Sequence, residues 1–219
     1  FRNQPRVVGY IATRWRNRAQ RSFLRWHLQN GRTVIREFIG GFRGQDTSLR
    51  EPPFGRFARY YSSLYLSAAS EKFFRSFDDD ALTAMKYVYF PMHKEAELAQ
   101  CYQATTWHDQ RNTVQVLASL LPAGYTLLAR EHRMNVGHRP LRSYRAYRDI
   151  PNVIMIDPFD SQFKYLRHAD LVVTENGSTG WEGLMLRRPT LLLAETFYDG
   201  AGLGQTVRDP DRLRRSSIC

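Results

Sequence analysis

A chain of 219 residues that is 42% hydrophobic can bury a real core, which excludes wholesale disorder. No apolar run approaches the roughly 20 residues that a membrane-spanning helix needs, and no signal-peptide pattern opens the chain. The formal charge of +11 is lopsided: residues 1–86 hold 16 Lys/Arg against 7 Asp/Glu, a local net of +9, which suits phosphates, an anionic membrane surface or an acidic glycan.

In chain order, residues 7–11 and 33–35 read as strands and residues 15–28 as a helix carrying Arg14, Arg18, Arg21 and Arg25 near one face. Residues 60–77 read as a second helix, followed by the acidic Asp78, Asp79 and Asp80. A boundary is placed near residue 86, dividing a basic region 1–86 from an α/β region 87–219. There the pattern becomes regular. Strands are expected at 87–90, 125–129, 153–156, from Leu171 and from Thr190. Helices are expected at 109–121, 143–148 and 161–168, the last capped by Asp160. Gly177 to Gly180 form a turn, residues 181–186 carry helical spacing, and Pro189 stops that helix.

Short apolar strands alternating with helices imply a Rossmann-like parallel sheet covered on both faces, with ligands bound outside the carboxyl ends of the strands. The residues just after the expected strands are His93, His132, Asp157, Glu175 with Asn176, and Glu195. Polar and ionisable groups therefore gather at one edge.

Three constellations carry chemistry. Gly177, Ser178, Thr179 and Gly180 lead from a strand into a helix, where free backbone N–H groups and two hydroxyls can hold a phosphate. Glu182, one turn on, can reach ribose or sugar hydroxyls; an ordinary strand-to-helix turn is the competing reading. The segment fits neither a Walker A loop nor the dinucleotide spacing. Arg130-Glu131-His132-Arg133 follows the second strand of this region and offers an imidazole for phosphate contact or acid–base work, or a structural histidine. His93 and Glu97 share a face if that segment is helical, and no partner at metal-ligand spacing accompanies them, so no metal is expected. The run Arg14 to Arg21, interleaved with Trp15, reads as a solvated helix face or as a polyanion contact. Cys101 and Cys219 are too few and too far apart for a disulfide framework or a Cys-based zinc site, which favours a reduced, cytosolic setting. Phe1 and the ending at Cys219 read as the cut ends of a longer protein.

Together these motifs resemble the capsule polysaccharide biosynthesis family, which includes β-Kdo transferases of GT-B-like architecture. The resemblance rests on Phe90-Pro91-Met92-His93-Lys94-Glu95-Ala96-Glu97, Arg130-Glu131-His132, Ile150-Pro151-Asn152-Val153, Asn176 to Gly183, and Arg188-Pro189. It covers residues 87–199. Ala96 and Arg133 stand where the family pattern has proline.

The resemblance implies a glycosyltransferase of bacterial surface polysaccharide assembly that needs no metal or other cofactor. Its expected partners are a nucleotide-sugar donor, CMP-Kdo among the candidates, and a glycan or glycolipid acceptor. Arg130, His132, Gly177, Ser178 and Thr179 would hold the donor phosphate and Glu182 its hydroxyls, with His93 and Glu97 near the reaction centre and no catalytic base assigned. It also implies a cytoplasmic setting with peripheral contact at the inner membrane. A sugar-nucleotide 2-epimerase or a polyol-phosphate transferase on the same scaffold is the nearest alternative. A polyanion-binding protein driven by the basic first third is another.

Overall fold

The computed structural model describes residues 62, 65–94, 107, 109–198 and 204–207. The chain divides into two compact units, residues 1–68 and 69–219. Of the first unit, residues 62 and 65–68 are described, and they are helical. The strands expected at 7–11 and 33–35, the helix expected at 15–28, and Glu97 lie outside the described residues.

The second unit is built on six parallel strands: β1 (Tyr87–Pro91), β2 (Thr126–Arg130), β3 (Val153–Ile156), β4 (Leu171–Thr174), β5 (Thr190–Leu192) and β6 (Gln205–Thr206). Their order in the sheet is β3-β2-β1-β4-β5-β6, so β1 lies between β2 and β4 and the winding direction reverses there. The register pairs Val88 with both Leu127 and Leu171, and Tyr89 with both Leu128 and Val172. The helices are α1 (Asp79–Ala84), α2 (Gln110–Leu120), α3 (Leu141–Arg148), α4 (Gln162–His168) and α5 (Ser178–Met185).

Two apolar clusters explain why these runs become strands. Successive side chains of a strand leave the sheet on opposite faces. Val88, Phe90, Leu127, Ala129, Val153, Met155 and Val173 join Val114 and Leu117 of α2 and Tyr144 and Tyr147 of α3 in one cluster. Tyr87, Tyr89, Leu128, Ile156 and Val172 join Leu82 of α1 with Tyr165 and Leu166 of α4 in the other. Burial on both faces accounts for continuous apolar runs where a half-exposed strand would alternate.

Several expectations are corrected. The helix read over 60–77 stops short: a 3-10 turn at Glu71–Phe73 follows Ser70, and the chain then extends. Arg75 forms a parallel bridge with Ile156, its N–H bonding Met155 O at 2.9 Å and its carbonyl accepting from Asp157 N at 2.9 Å. Those bonds along the exposed edge of β3 outcompete the helical ones. Asp160 does not cap α4. The N-cap is Ser161, whose side chain makes no capping bond, and Asp160 instead accepts from Ser76, from Tyr165 Oη at 2.8 Å and from Lys164 Nζ at 2.9 Å.

Helix α3 begins two residues before its expected start, directly after Pro140, whose φ of −65° suits a helix entry. Helix α5 begins at Ser178, so the turn is confined to residues 175–177. Gly180 lies inside that helix, and the position needs a glycine because a Cβ there would clash with the Tyr198 hydroxyl and with Thr174 Cγ2, 2.7 Å away. Strand β6 was not anticipated: two polar residues carry no period-two signal.

Candidate functional site

The reversal between β1 and β4 brings the residues after those strands together at the carboxyl edge of the sheet. His93 follows β1, and its backbone is held from both sides. Its N–H donates to Gln110 Oε1 at 3.1 Å, while its carbonyl accepts from Gln110 Nε2 and from Asn135 Nδ2, each at 3.0 Å. Gln110 opens α2, whose N-cap Asp109 accepts from the backbone of Arg111 and Asn112. The start of one helix thus fixes the end of the first strand.

Opposite His93 stands the turn into α5. Gly177 is its N-cap, and having no side chain it provides no capping bond to the first-turn N–H groups. A Cβ built on Gly177 would lie 3.1 Å from His93 Cε1, 3.6 Å from His93 Nε2 and 3.5 Å from Thr174 Oγ1. Imidazole and hydroxyl therefore converge on a niche that a larger residue would close. Thr174 is fully buried, and its Oγ1 has no hydrogen-bond partner among the described residues. Ser178 is exposed and Thr179 half-buried at the first two helical positions. Tyr198, reaching back from beyond β5, donates its hydroxyl to Gly177 O at 2.9 Å and locks the turn.

The structure draws the remaining candidates into two further groups. Arg130, at the end of β2, points its guanidinium into the β3–α4 connection. Nη2 donates to Pro158 O at 2.7 Å and Asp160 O at 2.9 Å, and Nη1 donates to Gln162 Oε1 at 3.1 Å. Gln162 Nε2 in turn donates to Glu182 Oε2. Arg133 joins the same connection, with Nε donating to Pro158 O at 2.8 Å. Burial and the neighbouring Arg130 charge lower its affinity for its proton.

His132 caps the short turn Arg133–Asn135, its Nδ1 accepting from Met134 N at 3.2 Å. Beside it Glu131 is buried against Arg139 Nε at 2.7 Å and also accepts from Asn135 Nδ2 at 2.9 Å. Since Asn135 also bonds His93 O, this buried network ties the ends of β1 and β2 together.

Electrostatically the edge is mixed. Burial pushes the Glu182 carboxyl above its ordinary range, while the Gln162 bond and the Arg130 charge pull it partway back. Burial likewise pushes Glu131 up against the pull of Arg139 and its hydrogen bonds. Around the α5 turn the groups on view are N–H groups, hydroxyls and an imidazole, a set suited to an anion.

Sequence reasoning missed Gln110, Asn135, Gln162, Thr174 and Tyr198. Only Gln110 left a local trace, one residue after a helix cap. Asn135, Gln162 and Tyr198 act across 20 or more residues, by reaching His93, Glu182 and Gly177 in turn, and Thr174 differs from them in having no partner among the described residues.

A doubly wound parallel sheet with hydrogen-bond donors gathered at its switch point defines a Rossmann-like α/β domain. Among solved structures, the chain is similar to the β-Kdo 2,7 transferase of Thermosulfurimonas dismutans KpsC, at 14% identity and a TM-score of 0.48, over 71% of this chain and 48% of that one. It is also similar to the S. aureus MnaA–UDP co-structure (14% identity, TM-score 0.47, 70% and 42% covered). The UDP-GlcNAc 2-epimerase of Methanocaldococcus jannaschii is a further match (15% identity, TM-score 0.46, 72% and 45% covered). The chain spans less than half the length of each of these three structures. No protein-family model and no curated protein matches it.

Proposed function

We propose that residues 69–219 form the nucleotide-sugar domain of a GT-B-type glycosyltransferase of bacterial surface polysaccharide assembly. The observation that carries this reading is the α5 turn. An uncapped helix N-terminus at the switch point faces the His93 ring and a buried Thr174 hydroxyl that has no partner among the described residues. A phosphate seated there gains the N–H groups of the first turn, the helix dipole and the hydroxyls of Thr174, Ser178 and Thr179. Stabilising a departing nucleotide phosphate in this way requires no metal.

In this reading His132 contributes from the neighbouring strand end, and Glu182 accepts hydroxyls of the ribose or sugar. His93 and Glu97 belong beside the transferred sugar, and the acceptor is a glycan or glycolipid. No helix among the described residues is long and apolar enough to cross a membrane.

Calorimetric titration of the whole chain with CMP, UDP and CDP tests the proposal. Saturable binding of at least one is expected, and its absence in a folded sample overturns the assignment. Incubation with a sugar nucleotide but no acceptor separates the neighbouring chemistries. Conversion of the sugar under those conditions would mark an epimerase in place of a transferase.

A further inference from the structure

Three side chains from three elements form an unbroken hydrogen-bonded line at the sheet edge. Arg130 at the end of β2 donates to Gln162, the first residue of α4, and Gln162 donates to Glu182 in α5. The direction of this line is forced. A guanidinium has only donors, so Gln162 must turn its carbonyl oxygen toward Arg130 and its NH2 toward Glu182. The amide cannot flip without setting donor against donor at one end and acceptor against acceptor at the other. Arg130 is itself 9% exposed and held by Pro158 O and Asp160 O, so the origin of the line is rigid and weakly screened.

We propose that Gln162 is a positioning residue that relays the Arg130 charge to the Glu182 carboxylate and dictates which of its oxygens accepts the hydroxyls of a vicinal diol. Glu182 Oε2 is occupied by the amide, and Oε1 has no hydrogen-bond partner among the described residues. A carboxylate pinned at one oxygen presents the other in a single orientation, and the two lone pairs of that oxygen can accept from both hydroxyls of one diol. The ligand class this selects is a ribonucleotide over its 2′-deoxy counterpart. The diol assignment rests on the nucleotide reading above; the relay does not. Arg130, expected to hold phosphate, then acts at one remove through Gln162.

The relay is tested on the unliganded whole chain by a carbon-13 NMR titration of the Glu182 carboxyl in wild type, Gln162→Leu and Gln162→Glu. Removing the amide takes away a donor that favours the ionised form, so the midpoint rises by about one unit or more in Gln162→Leu. It rises further in Gln162→Glu, which sets a second carboxylate beside the first while still accepting from Arg130. That variant keeps the Arg130 bond and guards against simple loss of fold. An unchanged midpoint in both folded variants overturns the relay.

The diol assignment is tested with whichever of CMP, UDP or CDP binds, paired with its 2′-deoxy form. Wild type prefers the ribo form, and Gln162→Leu shrinks that preference about tenfold, the size of a charge-assisted hydrogen bond. Equal weakening of both forms overturns the diol assignment. Failure of wild type to bind any nucleotide overturns the function proposed above and leaves the carboxyl titration to decide the relay.

Discussion

Thr174 closes β4 with none of its surface exposed, and its hydroxyl meets no partner among the described residues. A buried hydroxyl left unbonded costs about 1–3 kcal/mol on mutational scales. Its retention at the mouth of an uncapped helix is explained if a ligand oxygen satisfies it. Thr174→Val keeps the shape and removes the hydroxyl. Thermal unfolding of this variant is expected to match or exceed wild type, while affinity for the bound nucleotide falls about tenfold. A variant that binds as tightly as wild type removes Thr174 from the site. Nothing in the run Leu171-Val-Val-Thr174 marks this hydroxyl, because its lack of a partner is a property of what packs around it. Gly177 and Glu182 were legible for the opposite reason: a glycine before a helix and an acid one turn later are local signals.

The stretch 74–77 and helix α4 are joined through Asp160, and here the sequence misled. An acid just before a helical run reads as a cap, whereas this one accepts from Ser76, Lys164 and Tyr165. Burial raises the Asp160 carboxyl, but bonds from Ser76, Lys164 and Tyr165, with the Lys164 charge, outweigh it and hold the group below its ordinary value. A carboxyl depressed in the folded state contributes stability above its unfolded value, about pH 3.9, and that contribution is lost as pH falls through the folded value. Urea unfolding between pH 3 and 7 should therefore show Asp160→Asn losing about 1–3 kcal/mol at pH 7. The gap to wild type should close toward pH 3; a gap constant across the range would contradict the assignment.

At this same scale the five strands expected between residues 87 and 192 match the observed ones within a residue or so, because burial on both faces writes itself as apolar runs. Helix starts were read less well. Gly180 imitates a turn while serving close packing against Tyr198 and Thr174, and Gly183 packs inside the same helix against Val172 and Thr190.

Across the whole molecule the parallel α/β class was legible from alternating elements, but the order of strands was not. Order depends on where each crossover returns, and no residue encodes that locally. The +11 charge, concentrated in residues 1–86, makes a separate prediction. Binding of the intact chain to a polyanion such as heparin should weaken steeply with salt, as counterion release requires. Nucleotide binding at the α5 turn, resting on buried donors and backbone N–H groups, should survive 0.5 M salt with a change of about tenfold or less. Parallel titrations at low and high salt separate the two, and a common steep slope would place the nucleotide on the basic surface instead.

The position of β1 beside β4 has a consequence in time. Val88 meets Leu171, 83 positions further along the chain, and until that pairing closes, His93 and Gly177 have no reason to be neighbours. Local helices can form quickly, but a parallel contact of such long range must first overcome the entropy of closing a large loop. The niche between His93 and Gly177 is therefore expected to close late in folding. In a refolding experiment, competence to bind should return with the slowest structural phase, long after the helical signal has recovered.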